Sequence, residues 1–133
     1  MALPALQPWS FFWAMSVALE VPWAVTPDKV EAVVRRLVEA ARPRKIILFG
    51  SYVRGETNRD SDLDILVVTD DDGRSPRAES ARLRRTLRGI SMPMDILVIP
   101  QSKLDQLRQR WDLVYYEACE TGKVVYEREA EAA

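Results

Sequence analysis

A glycine-serine pair, followed after ten residues by two aspartates, is the group of residues best suited to chemistry in this chain. The pair is Gly50-Ser51, and the aspartates are Asp62 and Asp64. Because side chains at positions i and i+2 of a strand share a face, the two carboxylates are expected to stand side by side. Like charges this close raise each other's pKa unless a cation neutralises them. The pattern therefore predicts a site for a hard divalent cation such as Mg²⁺.

A third aspartate, Asp95, lies in the apolar run from Met94 to Ile99. A buried carboxylate is costly unless it is paired or bound to a metal. If this run forms a strand beside the one that carries Asp62 and Asp64, Asp95 joins them as a third ligand or as a general base. The alternative is that Asp95 only occupies the exposed end of a strand.

The glycine-serine turn has the properties of a phosphate-binding loop. Glycine lets backbone amides approach phosphate groups, and the Ser51 hydroxyl can donate a hydrogen bond. Arg54 can balance phosphate charge, or pair with Glu56 or an aspartate to shape the turn. Two cations held by the aspartate pair would clamp a triphosphate, while Asp95 helps to deprotonate an attacking hydroxyl. This arrangement suits in-line displacement at phosphorus.

The composition excludes the main rival chemistries. The chain has 133 residues, no histidine, one cysteine (Cys119) and a net charge of −1. Histidine-based catalysis, histidine-ligated metals, thiol-based zinc sites and an intrachain disulfide are thereby excluded. Because the net charge is near zero, nucleic acid is not expected as a partner. A single free cysteine is typical of a reducing cytoplasm, where we expect the protein to act.

The helices and strands that must position these groups can be predicted locally. Thr26 and Ser75 are good N-caps, and each is followed by a proline suited to the first helical position. Strands are expected at 44–49, 62–68 and 94–99, with a short strand at 124–126. This order predicts a single α/β or α+β domain, with a small mixed β-sheet flanked by helices.

Three further segments leave alternatives open. Asp70 to Asp72 can bind a cation or form a solvated turn before Gly73. The arginines of the helix that begins near Ser75 can grip RNA or an acidic partner, or simply keep that face solvated. Ser102 with Asp105 resembles a capping box, which predicts that the next helix begins there. The inner face of the helices that follow includes Trp111 and Ala118.

Residues 1–25 are apolar and contain Trp9, Trp13 and Trp23. Prolines and a glutamate interrupt this segment, so neither a signal peptide nor a membrane span is expected. The segment packs on the domain or on a partner, or it is disordered, with Met15 as an alternative start. The domain itself is expected at 26–128, before a frayed tail at 129–133.

The motifs together resemble the signature of a known family. The sequences Gly50-Ser51-Tyr52-Val53-Arg54-Gly55 and Ser61-Asp62-Leu63-Asp64-Ile65-Leu66-Val67, followed by a later strand aspartate, resemble the minimal nucleotidyltransferases of the DNA polymerase beta superfamily. The closing segment from Tyr116 to Glu127 is also similar to the end of these proteins. The resemblance covers about residues 26–128.

The resemblance implies a polymerase-beta-type fold and transfer of a nucleoside monophosphate, AMP from ATP, with two Mg²⁺ ions. By position, Asp62, Asp64 and Asp95 would form the metal-binding carboxylate triad, and Gly50 with Ser51 would hold the triphosphate. Small family members act as antitoxins beside a HEPN-domain toxin, and some transfer AMP to a tyrosine of that toxin.

Other functions remain open at this stage. The protein can instead be an antitoxin of low activity that binds and occludes its partner, with tryptophans as anchors. Transfer to a small molecule or to an RNA end is a further alternative, in which a homo-oligomer would supply the missing acceptor surface.

Overall fold

A computed structural model describes residues 22–55 and 62–129 of the chain. These residues form a four-stranded sheet flanked by helices on both faces. The elements in chain order are α1 (Pro27–Ala41), β1 (Lys45–Phe49), α2 (Ser51–Arg54), β2 (Leu63–Thr69), α3 (Pro76–Thr86), β3 (Met94–Pro100), α4 (Gln101–Leu107), α5 (Val114–Thr121) and β4 (Lys123–Glu127).

The sheet is mixed, with the strand order β3-β2-β1-β4. Strand β1 pairs antiparallel with both β2 and β4, whereas β2 pairs parallel with β3. A parallel pair needs a crossover connection, and α3 lies within it. The predicted mixed α+β architecture is therefore confirmed.

The first helix begins and ends as its sequence predicts. The Thr26 hydroxyl accepts a hydrogen bond from the Lys29 amide at 3.3 Å, and proline occupies the first turn. Val33 and Leu37 are fully buried on its inner face. The helix ends where Arg42 adopts a left-handed conformation directly before a proline. Local sequence therefore fixes this element almost completely.

The two faces of β2 belong to two separate parts of the core. Leu63, Ile65 and Val67 pack in the cluster that includes residues of α1 and α3. Leu66 and Val68 pack in the cluster that includes residues of α4 and α5. The predicted alternation along this strand is confirmed, and it leaves the aspartates on the face that α4 and α5 cover.

The helices after β3 depart from the prediction at two positions. Helix α4 begins directly after the strand with Pro100 at its N-cap, so the Ser102-Asp105 capping box does not form. The Ser102 hydroxyl instead donates to Asp71 at 2.6 Å. Trp111 is 81% exposed because it lies in the link between α4 and α5, where helical periodicity no longer applies.

Several charged side chains around β2 and α3 are paired. Asp70 forms an ion pair with Arg128 at 2.7 Å, and the chain bends directly after it, before Gly73. On α3, Glu79 is buried and accepts hydrogen bonds from Arg82. No helix of the described part is both long and apolar enough to cross a membrane.

Several predictions concern residues outside the described ranges. Trp9, Trp13 and Met15 of the N-terminal segment lie there, as does the predicted tail after Glu129. At the described end of this segment, Trp23 is 49% exposed, whereas Ala24 and Val25 are buried. The segment from Glu56 to Ser61, between α2 and β2, also lies outside the described residues.

Gly122 allows α5 to pack closely against β1, so Gly122→Ala should destabilise the domain. A Cβ atom there would lie 2.2 Å from the Ala118 carbonyl oxygen and 2.9 Å from that of Leu48. Because both contacts are backbone atoms, we expect a loss of about 1–3 kcal/mol in the free energy of unfolding, measured by urea denaturation. Glu120→Ala, on the exposed surface of the same helix, should change it by less than about 0.5 kcal/mol. Equal stability of the two variants would contradict this packing.

Candidate active site

The pairing of β2 with β3 brings two of the predicted site residues together. Asp64 and Asp95 lie directly opposite each other in the parallel register. Asp62 lies just before β2, close enough to Asp64 to raise the pKa of its carboxyl group. The structure thus places all three predicted carboxylates at the same end of the sheet.

Gly50 is required at this site for two reasons. Its φ of 83° lies in a region that favours glycine. A Cβ atom at this position would lie 2.1 Å from Oδ2 of Asp64, so a larger residue would displace the carboxylate. Phe49, the residue before it, lies opposite Asp64 in the antiparallel register of β1 and β2. The glycine therefore makes room for a site carboxylate, a role that the sequence alone does not reveal.

Ser51 and Arg54 are the first and last residues of the short helix α2, which follows Gly50 directly. Ser51 is half-buried, while the Arg54 side chain reaches across to α5. There it forms an ion pair with Glu117 at 2.9 Å. Of the partners predicted for Arg54, Glu56 lies outside the described residues.

Asp95 is exposed, and the expectation of a buried carboxylate is wrong. Its side chain is 63% exposed, and one of its carboxylate oxygens lies 3.9 Å from a guanidinium nitrogen of Arg84. The reason is its position as the second residue of β3, a strand that has a neighbour on one side only. Asp95 therefore lies at an exposed strand end and also belongs to the carboxylate cluster. The sequence analysis had treated these two positions as alternatives.

Glu117 is a site residue that the sequence analysis did not identify. It lies on α5 directly before the buried Ala118, and its charge contributes to the raised pKa of Asp64. The sequence indicated only that Glu117 is a carboxylate beside the predicted inner face of a helix. This position does not specify which end of the sheet the helix approaches, so it could not identify Glu117 as a site residue.

The electrostatics of Asp64 reflect this crowding of negative charge. Partial burial raises the pKa of Asp64 most, followed by the charges of Asp95, Asp62 and Glu117. The positive charge of Arg54 lowers it but does not cancel the rise. Carboxylate oxygens are the ligands that Mg²⁺ prefers, and a cation would relieve this repulsion. The chemistry of the donor set therefore fits a divalent cation.

The described side chains do not form a complete metal cage. Among residues 22–55 and 62–129, no group of three or more histidine, cysteine or acidic side chains is arranged to hold an ion. The Asp64–Asp95 pair offers two ligands in register, and the exposed Asp62, just before β2, is the candidate for a third. A bound nucleotide would supply further oxygen ligands, as is usual for Mg²⁺.

Comparison with known protein families places this sequence in one family. A family model described as a nucleotidyltransferase domain matches residues 28–129. A "Putative protein adenylyltransferase" of Methanocaldococcus jannaschii is 61% identical over 31 residues. That segment covers 23% of this chain and 31% of the relative, so the chain matches under a third of the relative's length.

One solved structure supports the fold. A "putative nucleotidyltransferase" from Sulfolobus solfataricus has a TM-score of 0.56 and 15% identity, over 93% of this chain and 92% of its own. A structure described as "the toxin-antitoxin with AMP-PNP" reaches a TM-score of 0.47 and 24% identity, over 74% of each chain. The first match shows a shared fold, while the second is too distant to add to it.

The raised pKa of Asp64 predicts that Asp64→Asn stabilises the protein at pH 7 in the absence of divalent cations. An ionised carboxylate whose pKa is raised on folding costs stability, and this cost disappears as the pH falls below the ordinary aspartate value of 3.8. We expect the melting temperature to rise by about 1–3 °C at pH 7 and to be unchanged near pH 3.

Asp70→Asn, at the other end of β2, is a control for which we expect the melting temperature to change in the opposite direction. A hydrogen bond from Arg128 lowers the pKa of Asp70, so its charge stabilises the folded state at neutral pH and loses that effect on acidification. Its replacement should lower the melting temperature at pH 7. A shift in the same direction for both variants would contradict this account of the site.

Proposed function

Because the chain belongs to the nucleotidyltransferase domain family, we propose that it transfers AMP from ATP to a hydroxyl group of a partner protein. One observation carries the proposal: Asp64 and Asp95 are in register, with Asp62 and the Gly50 turn beside them. The catalytic unit is proposed to span 26–128, with 1–25 as an extension and 129–133 as a tail. A reaction that uses ATP is consistent with action in the cytoplasm.

The proposed roles follow from these positions. Gly50 and Ser51 would hold the triphosphate, with Arg54 balancing part of its charge. Asp62, Asp64 and Asp95 would hold one or two Mg²⁺ ions, which when bound would neutralise the phosphate charge. In the transfer, the acceptor oxygen bonds to the α-phosphorus and the bond to pyrophosphate breaks.

The exposure of Asp95 supports its proposed part in the reaction. A general base must lie within hydrogen-bonding reach of the hydroxyl that it deprotonates. Asp95 lies on the edge strand with most of its side chain in solvent, so a large acceptor can approach it without opening the domain. Asp95 would take the proton of the acceptor hydroxyl as the oxygen attacks phosphorus.

The acceptor is proposed to be a protein, a HEPN-domain toxin encoded beside this chain. The name of the M. jannaschii relative supports a protein acceptor, although the match covers a limited part of that relative. The HEPN partner rests on the resemblance of the sequence motifs to small antitoxin nucleotidyltransferases. The described part of the chain is one small sheet with its helices, so the partner itself would form much of the acceptor site.

We expect label from α-³²P-ATP and Mg²⁺ to appear on the protein encoded by the adjacent reading frame. Asp62→Asn, Asp64→Asn and Asp95→Asn should each lower this transfer by about 100-fold or more, because each removes a carboxylate that acts on the phosphate or the acceptor. Asp72→Asn, in the turn after β2, serves as a control and should transfer normally. Label from γ-³²P-ATP would indicate phosphoryl transfer and contradict the proposal, as would equal transfer by the three site variants.

Exposed aromatic residues favour a second candidate function, neutralisation of the partner by binding alone. Trp111 and Trp23 are 81% and 49% exposed, and such side chains are typical anchors of interfaces. Under this hypothesis Asp64→Asn neutralises the partner as well as the wild type does, whereas Trp111→Ala does not. Loss of neutralisation by Asp64→Asn with partner binding intact would reject it.

A further inference from the structure

A fourth carboxylate, Glu117, approaches the carboxylate cluster from α5 and pairs with Arg54 of α2. The guanidinium nitrogen and the carboxylate oxygen lie 2.9 Å apart, between residues 63 positions apart in the chain. This pair connects the helix that follows the Gly50 turn to a helix that covers the same face of the sheet. Its position beside Asp64 requires an explanation, because a further negative charge should weaken the binding of a triphosphate.

The two ends of this ion pair lie on elements that adjoin the core. Glu117 directly precedes Ala118, which is 1% exposed, and α5 ends at Gly122, which packs against Ile47 and Leu48 of β1. Arg54 lies in a single turn of helix that begins at the buried Gly50. The backbone that carries Glu117 is therefore held by the core, and the Glu117 carboxylate can orient the longer Arg54 side chain.

Stability does not account for this pair. The Arg54 and Glu117 side chains are 42% and 43% exposed, and ion pairs with this much solvent contact contribute little to folding. A guanidinium carries five N–H donors in a planar fork, a geometry that suits phosphate oxygens. A guanidinium that Glu117 has already oriented loses less entropy when it binds them.

We infer that Glu117 is a positioning residue that holds the Arg54 guanidinium in place to bind the triphosphate of the nucleotide. This inference rests on the proposed function. It predicts a change in nucleotide affinity opposite in direction to the change that simple electrostatics predicts. If Glu117 acted only as a negative charge near the phosphates, its removal would tighten nucleotide binding, whereas loss of a positioning residue weakens it.

The test is the dissociation constant of a non-hydrolysable ATP analogue with Mg²⁺, measured by titration calorimetry. Arg54→Ala should raise this constant by about 10-fold, as expected for loss of a charge-assisted contact to phosphate. Glu117→Ala should raise it by about 3-fold. The double variant should bind no more weakly than Arg54→Ala alone, because Glu117 has nothing left to position.

Two controls separate positioning from general effects on the fold. Glu120→Ala removes a carboxylate from the exposed surface of the same helix and should leave the dissociation constant unchanged. The exchanged pair Arg54→Glu with Glu117→Arg keeps an ion pair but moves the cation to α5. It should retain the wild-type melting temperature and still bind the analogue at least 10-fold more weakly.

Three results would overturn the inference while wild-type binding supports the proposed function: tighter or unchanged binding by Glu117→Ala, unchanged binding by Arg54→Ala, or wild-type affinity in the exchanged pair. If the wild type fails to bind the analogue, the proposed function fails together with the inference. The two failures are therefore distinguishable in one set of titrations.

Discussion

Repulsion between carboxylates at one end of the sheet is the constraint on which the site depends. Asp64 has both Asp95 and Asp62 near it, and burial adds to the cost of its charge. Isolated side chains would move apart to avoid this arrangement. Here β2 cannot move, because Leu63 and Ile65 on either side of Asp64 are fully buried in the core. The hydrophobic core therefore holds the charges together, as the proposed binding of a nucleotide with its cations requires.

The mixed pairing of the sheet explains how distant residues reach the same end. Antiparallel pairing places the end of β1, and so Gly50, beside the beginning of β2. Parallel pairing places the beginning of β3, and so Asp95, beside the same residues of β2. With β3 antiparallel to β2, the start of β3 would lie at the opposite end, far from Asp64. The crossover through α3 is thus as important to the site as the motif itself.

Several features that depend on neighbouring residues could be predicted from the sequence, whereas the exposure of Asp95 and the contact of Glu117 with Arg54 could not. The Thr26 cap and the alternation along β2 follow from local rules, and both are confirmed. The exposure of Asp95 depends on β3 being an edge strand, which no local pattern states. The Arg54–Glu117 pair depends on how α5 lies on the sheet. The helical periodicity of the sequence shows that Glu117 is beside the inner face of its helix, but it does not show which residue Glu117 contacts.

The two ends of β2 show which carboxylates serve the fold and which are available for chemistry. Asp70, just after the strand, has Arg128 and Arg44 as partners, and hydrogen bonding to Arg128 lowers its pKa. Asp64, near the beginning of the same strand, has a raised pKa, since Arg54 does not offset burial and three negative neighbours. A carboxylate with strong arginine partners is already neutralised and gains little from a bound cation. Among the described residues Asp64 has no such neutralising partner, so the excess negative charge at that end of the sheet is what the cations of the proposed nucleotide complex would neutralise.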